Sequence, residues 1–357
     1  MNSKEKLEEM ASEKITDELT FEHLVLIAGG HTAFQLLWAG VELGLFSLLS
    51  RTKNVTLGDV CSELALERQP ARILLVGLTA LKLIVKEGNG YRNAALTEQM
   101  LVTEKEGSAS PILGWQAHIV YPGLEDFVES LKKNENVGLQ HFPGQGNTLY
   151  ERLVNHPETE TVFQEAMSAL SSQANTHLLK VLDLTDVSHL VDAGGGDGTN
   201  AIAFATRYPS LRVTIFDSPS VCEIAKEKIA EAGLSERIST WEGNFLSDPF
   251  PDGIDAVLYS HIFTIWSPEN NLKLLQRTYS ALDEGGRVLI FNMMAIDDDT
   301  GPLSTALGSP YFLAIATGEG MLYPWKDYDK WLLEAGFGKS QHVGDLPLNH
   351  GLIVGRK

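Results

Sequence analysis

The run Val191-Asp192-Ala193-Gly194-Gly195-Gly196-Asp197-Gly198-Thr199 carries the strongest chemical signal in the chain. It leaves a predicted strand and enters a predicted helix, so its glycines let the backbone turn sharply and approach a ligand closely. As a dinucleotide fingerprint it fails, because G-x-G-x-x-G counted from Gly194 needs a glycine where Thr199 stands. The pattern that fits is an acidic residue, an apolar residue, then Gly-x-Gly-x-Gly. That arrangement suits a ligand without pyrophosphate, whose amino-acid end lies over the glycine turn and whose ammonium is held by Asp192, directly or through water. Asp217 ends the next strand, 21 positions after Gly196, where a carboxylate accepts both hydroxyls of a ribose. Gly243-Asn244-Phe245 ends a third strand, where an amide can bond adenine and an aromatic ring can stack on it. In that order, at strand ends, these residues favour S-adenosylmethionine over a nicotinamide dinucleotide.

The elements that must position them are legible as periodicity. SHLVDA (188–193), LRVTIF (211–216), IDAVLYS (254–260) and GRVLIFN (286–292) are short apolar runs. Between them lie GTNAIAFATRY, PSVCEIAKEKIAEAG and NNLKLLQRTYSAL, each with apolar residues on one helical face. Buried strands alternating with helices predict an α/β fold with a doubly wound parallel sheet. The tail, GKSQHVGDLPLNHGLIVGRK, reads as two closing strands joined by a Pro/Asn/Gly turn. Residues 1–105 read as all-helical apart from one hairpin. A buried, glycine-containing helix is expected over 33–49, a helix from Leu57 through Leu64, a second over 72–84, and a hairpin turn at Glu87-Gly88-Asn89-Gly90. Helix, turn, helix and hairpin make an N-terminal winged helix. Residues 106–180 read as mixed helices with a glycine-rich break, FPGQGNT (142–148), serving as linker and substrate lid, and 181–357 as the cofactor domain.

Composition narrows the partners. The chain has 357 residues, with 28 Lys plus Arg against 47 Asp plus Glu, a formal charge of −19. An acid excess on that scale repels phosphate backbones and anionic lipid. A winged helix can read DNA, but Arg68 and Arg72 are a thin basic supply, so dimerisation is its expected role. Helices 20–50 and 72–84 carry more apolar residues than one small domain can bury. Cys61 and Cys222 stand 161 positions apart, with no CxxC and no histidine cluster at metal spacing, so no metal is expected and the compartment reads as reducing. The start, MNSKEKLEEMASEKITDEL, is charged and helical in pattern, without the apolar core of a secretory signal. The apolar stretch Leu24 to Leu49 is interrupted by His31, Gln35, Glu42 and glycines, too broken for a membrane span. A cytoplasmic protein with no nucleic-acid or membrane partner is the expectation.

The same residues resemble a known family: the small-molecule O-methyltransferases of plants and bacteria that include caffeate, hydroxyindole and polyketide-tailoring enzymes. The likeness runs from the winged-helix region through LYERLVNHPETETVFQEAM (149–167), the DAGGGDG loop, FDSPSV (216–221), GNF (243–245) and LLEAGF (332–337). It implies a Rossmann-like, class I sheet binding S-adenosyl-L-methionine, an N-terminal winged-helix dimerisation domain, a homodimer, and a small-molecule, secondary-metabolite acceptor. The cofactor contacts it implies fall on Asp192, Gly194, Gly196, Asp217 and Phe245, with Ser218 and Trp266 beside them. Asn244 stands where an aspartate is usual, and Ser260 where lysine or serine occurs.

The catalytic part departs from the family. There, a Leu-His-Asp-Trp segment supplies a histidine that deprotonates the acceptor hydroxyl. Counted back from Trp266, this chain has Thr264 in the histidine's place and Ile265 in the aspartate's, and Asn292 replaces the glutamate that orients the histidine. An alcohol is far too weak a base near pH 7. Three readings stay open. The acceptor needs no base and positioning supplies the rate; or the base is relocated, with His261 first and His118, His141 and His177 after it; or the cofactor serves non-methylatively, as a fixed positive charge. Oxygen is the acceptor atom that the resemblance favours, with nitrogen or carbon next. Trp115, Phe163, Met167, Met293, Tyr311 and Phe312 are expected to line the acceptor pocket, with Tyr121, Met294 and Trp325 also near it. GEGMLYPWKDY (318–328) lacks the family's Arg-Thr pattern, which points to an unusual acceptor.

Overall fold

The structure, a computed structural model, describes residues 19–357; the charged segment at the start of the chain lies outside them. The chain divides into two compact units, with the boundary at Ser110.

The first unit holds helices Phe21–Ala28, Gly30–Glu42, Leu45–Arg51, Leu57–Glu63, Arg68–Ala80 and Ala95–Met100. Strands β1 (Val55–Thr56), β2 (Ile84–Glu87) and β3 (Gly90–Asn93) form a small antiparallel sheet in the order β1-β3-β2. Thr56 starts the helix after β1, accepting the Asp59 N–H while the Asp59 carboxylate accepts the Thr56 N–H in return. Two expectations are corrected here. The single buried helix over 33–49 is two helices, because Gly44 takes φ +72 between them, and in Gly30–Glu42 only Gly40 and Val41 are buried. The helix expected over 72–84 runs from Arg68 to Ala80; Lys82 adopts φ +61 and Ile84 already belongs to β2. Among the described residues no single helix is long and apolar enough to cross a membrane; Phe21–Ala28 and Gly30–Glu42 would suffice only together, and a 65° bend separates them.

The second unit is built on a seven-stranded sheet in the order β6-β5-β4-β7-β8-β10-β9. Its strands are β4 (His189–Ala193), β5 (Arg212–Asp217), β6 (Ile238–Glu242), β7 (Ile254–Ser260), β8 (Leu282–Met293), β9 (Gln341–Leu346) and β10 (His350–Arg356). The first five are parallel, β10 runs antiparallel to β8, and β9 antiparallel to β10. Both faces are covered. One carries Val257, Tyr259, Ile290, Tyr328 and Trp331, the other Leu190, Phe204, Leu258, Phe291 and Leu352, all buried. β6 has no apolar run, with Ile238 its only buried residue, because it is an edge strand. β8 begins at Leu282, four residues before the apolar run that signals it.

Residues 111–181 are helical and end in the long helix Pro157–Val181. A further helix, Leu303–Tyr311, continues as a π turn, Phe312–Ala316. Thr305 ties its start to the Met294 carbonyl just past β8, with Oγ1 to O at 3.2 Å, and Thr317 ties its end to the Ile265 carbonyl just past β7. This helix therefore lies over the carboxyl ends of the central strands. Its inner face joins the helices of 111–181 in a cluster of Trp115, Ile119, Phe142, Tyr150, Phe163, Met167, Tyr311 and Phe312 among others.

Candidate active site

The glycine run turns between β4 and helix Thr199–Arg207 with Gly194, Gly196 and Gly198 at φ +73, +58 and +85. Only glycine reaches that left-handed region without steric cost. The Gly194 N–H donates to the Phe216 carbonyl at 2.8 Å and the Gly196 N–H to Asp217 Oδ2 at 3.0 Å, which clamps the loop to the end of β5. A Cβ on Gly194 would lie 2.3 Å from Ile262 Cδ1, whereas one on Gly196 would meet nothing within 4 Å. The loop is thus wedged against the end of β7 on one side and open on the other.

Asp192 is fully buried beneath this loop, and neither carboxylate oxygen has a hydrogen-bond partner. Burial, with the Asp217 and Asp197 charges adding, pushes its carboxyl up to about 7. Asp217 is raised by burial too, although it accepts from Ser218 N–H at 2.8 Å as well as from Gly196. Asp197 differs, being ion-paired with Lys228 and held below the usual carboxylate range despite its burial. A buried, wholly unpartnered carboxylate and a half-buried one form a cradle that calls for a cation and hydroxyl donors. Phe245 stands edge-on to Phe216 with ring centroids 6.2 Å apart. Asn244 is exposed, and its side-chain oxygen accepts the Leu246 N–H at 2.9 Å. Trp266 packs on the sheet core with its indole N–H buried and unpartnered.

The residues expected in the place of the base are engaged elsewhere. Thr264 is buried and donates to the His261 carbonyl at 3.3 Å. Asn292 is buried and donates to the Tyr328 hydroxyl at 3.3 Å. His261 has both ring nitrogens occupied, Nδ1 by Ser260 Oγ at 3.1 Å and Nε2 by His350 Nε2 at 2.9 Å. Burial, with His350 adding, lowers its imidazole to about 3. His177 stands beside His350, His141 pairs with Asp126 at 2.9 Å, and His118 is exposed.

Five of the six expected pocket residues come together in the lid. Trp115 and Tyr311 meet edge-on at 5.0 Å, Tyr311 and Phe312 at 5.2 Å, and Phe163 and Met167 join them. The Trp115 N–H and the Tyr311 hydroxyl are buried and face each other. Tyr150, which no spacing signal marked, faces Tyr311 and stacks edge-on with Phe163 at 5.8 Å; burial pushes its hydroxyl up to about 12. Met293 is half-buried at the end of β8, opposite His350. Of the residues expected near the pocket, Met294 and Trp325 pack over Gly351 in the sheet core, and Tyr121 is exposed. His350 also escaped the sequence reading, since nothing local links it to His261, 89 positions away.

A family model described as an O-methyltransferase domain matches residues 121–338. The chain belongs to this family of S-adenosylmethionine-dependent small-molecule methyltransferases. This methyltransferase is 40% identical over 343 residues to the L-tyrosine C(3)-methyltransferase of Streptomyces lavendulae, a match covering 95% of this chain and 93% of the relative. The apo structure of the S-adenosylmethionine-dependent methyltransferase SibL matches with a TM-score of 0.80 at 40% identity, covering 95% of this chain and 99% of that one. Human N-acetylserotonin methyltransferase bound to S-adenosylmethionine matches with a TM-score of 0.84 at 26% identity, covering 96% and 99%. S-adenosylmethionine is the cofactor. The cradle fits it: the unpartnered Asp192 carboxylate suits the ammonium, and the open side of Gly196 leaves room for the methionine end.

Proposed function

We propose that this methyltransferase places the methyl group on a ring carbon of a small hydroxyaromatic acceptor, an aromatic amino acid of the tyrosine type. The observation that carries the reading is the replacement of the family's base pair by Thr264 and Asn292, both buried and hydrogen-bonded to other partners. A phenol oxygen reacts well only once its proton is removed, and neither side chain removes it. A ring carbon beside the hydroxyl is already electron-rich. The proton it sheds after the new C–C bond forms is so acidic that water accepts it. The identity of the 40% relative as a tyrosine C(3)-methyltransferase supports the same atom.

When bound, S-adenosylmethionine supplies an electrophilic methyl on a sulfonium. Asp192 holds its ammonium, Asp217 its ribose hydroxyls, and the Asn244 amide with the Phe245 ring its adenine; Ser218, Ser260 and Trp266 complete this set. Trp115, Phe163, Met167, Tyr311 and Phe312 sandwich the acceptor ring, with Met293 at the floor. The Trp115 N–H and Tyr311 hydroxyl donate to the acceptor's oxygen, which turns the neighbouring carbon toward the methyl. Such alignment is worth on the order of 7–11 kcal/mol of barrier.

Oxygen as target is the second reading, favoured by the family model's own description. Incubation with methyl-13C S-adenosylmethionine and L-tyrosine or simple phenols separates the two. An aryl-methyl resonance in the product supports carbon, a methoxyl resonance assigns oxygen, and S-adenosylhomocysteine without labelled acceptor removes both.

The first unit is read as a winged-helix dimerisation domain of a cytoplasmic homodimer. Exposed Phe21, Val25, Ile27, Ile73 and Val76 support association through its helices. The charge of −19 argues against nucleic-acid and membrane partners.

A further inference from the structure

At the carboxyl end of β7, His261 takes φ +62, a left-handed conformation rare outside glycine. The turn swings its ring over Phe291, edge-on at 5.5 Å, and against His350, whose own ring stacks on Phe291 at 4.9 Å. Four polar groups follow in one line from Ser260 Oγ to His261 Nδ1, from His261 Nε2 to His350 Nε2, and from His350 Nδ1 to the Pro347 carbonyl, at 3.1, 2.9 and 3.0 Å. A carbonyl only accepts, so His350 carries its proton on Nδ1 and its Nε2 accepts. His261 must then donate from Nε2, which leaves Nδ1 to accept from the Ser260 hydroxyl. The direction of the whole line is fixed by its last member while both rings are neutral. Burial lowers both imidazoles, keeping them in that state. The other titratable group facing the pair is His177 on helix Pro157–Val181, whose charge would lower His350 further.

We propose that Ser260, His261 and His350 are one positioning unit, a neutral directional relay that keeps the Ser260 proton turned inward and presents only oxygen lone pairs to the cofactor. Ser260 ends β7 two residues before Ile262, which abuts the glycine loop at Gly194, so those lone pairs face the cationic methionine end. One extra proton would reverse the relay. With His350 charged, His261 accepts at Nε2 and donates at Nδ1, and the Ser260 hydroxyl points outward beside a new positive charge. Such a reversed relay opposes a sulfonium ligand. The histidines act through Ser260, so they are positioning residues. The inference rests on the reading of Ser260 as a cofactor contact.

The test uses the full chain with 15N-labelled histidine, assigned with His261→Asn and His350→Gln. At pH 7 both rings are expected neutral, with the proton on Nε2 of His261 and on Nδ1 of His350. Calorimetry with S-adenosylmethionine is expected to show a loss on the order of tenfold for His350→Leu and for Ser260→Ala, about one hydrogen bond's worth, with no further loss in the double variant. His350→Gln, whose side-chain oxygen can accept from His261, is expected to bind within about twofold of the parent at pH 7. Opposite tautomers or a charged ring at pH 7 would overturn the relay. Correct tautomers with unchanged affinity in Ser260→Ala would overturn its link to the cofactor. Neither readout involves an acceptor, so failure of the carbon assignment leaves both intact.

Discussion

Asp192→Asn tests the cofactor cradle most directly. A carboxyl raised from its ordinary value near 4 to about 7 by burial is a native-state penalty of about 4 kcal/mol once fully ionised. The folded value lies above the unfolded one, so this acid opposes folding increasingly as pH rises from about 4 to 7. Below pH 4 the penalty vanishes; at pH 6 it is about 3 kcal/mol, and at pH 8 about 4. Asparagine keeps the shape and removes the charge, at a cost of about 1–3 kcal/mol for an amide as poorly partnered as the carboxylate it replaces. The variant without ligand should therefore match or exceed the parent's stability at pH 8. Its advantage should shrink by about 1 kcal/mol at pH 6, roughly 2 °C in melting temperature. Affinity for S-adenosylhomocysteine, whose ammonium loses its counter-ion, should fall by at least a hundredfold, and the parent should release about half a proton on binding at pH 7 and close to one at pH 6. Thermal melts at the two pH values and calorimetry in two buffers of different ionisation enthalpy read all of this. A variant that melts lower than the parent by the same amount at both pH values, or that binds the ligand as the parent does, would refute the reasoning.

Gly194→Ala should destabilise by about 2–4 kcal/mol in urea unfolding and abolish cofactor binding, because φ +73 is unfavourable for alanine and its Cβ would sit 2.3 Å from Ile262 Cδ1; near-normal binding would contradict the tight loop. Tyr311→Phe removes a buried hydroxyl that faces Trp115 and Tyr150. It should change stability by no more than about 1 kcal/mol while raising the acceptor KM about tenfold, and a larger loss of stability with unchanged KM would show the hydroxyl to be structural. Thr264→Ala should leave kcat within about threefold, since its hydroxyl is held by the His261 carbonyl; a drop of a hundredfold or more would return Thr264 to the chemistry.

Much of the scaffold was legible because its signals are local. The run IDAVLYS is β7 to the residue, and the glycine run lies where its neighbours demand left-handed turns. Where periodicity failed, another force decided. Helix 33–49 broke at one glycine, and β6 went unmarked because an edge strand has little to bury. The lid residues were recognisable as a group, yet hydrophobic type alone could not separate Trp115 and Tyr311, which meet in the lid, from Met294 and Trp325, which pack over β10.

Residue type and order pointed to the cofactor and to an absent base, since a threonine or an asparagine has no chemistry for that task in any fold. Only the tertiary structure decided that Asp192 is left without a partner, that Thr264 and Asn292 are bonded away from one another, and that His261 is tied at both nitrogens. Those facts depend on burial and on partners up to 89 positions distant. A sequence lists which groups exist; whether a group is free to react is set by what the fold brings against it and by the water it excludes.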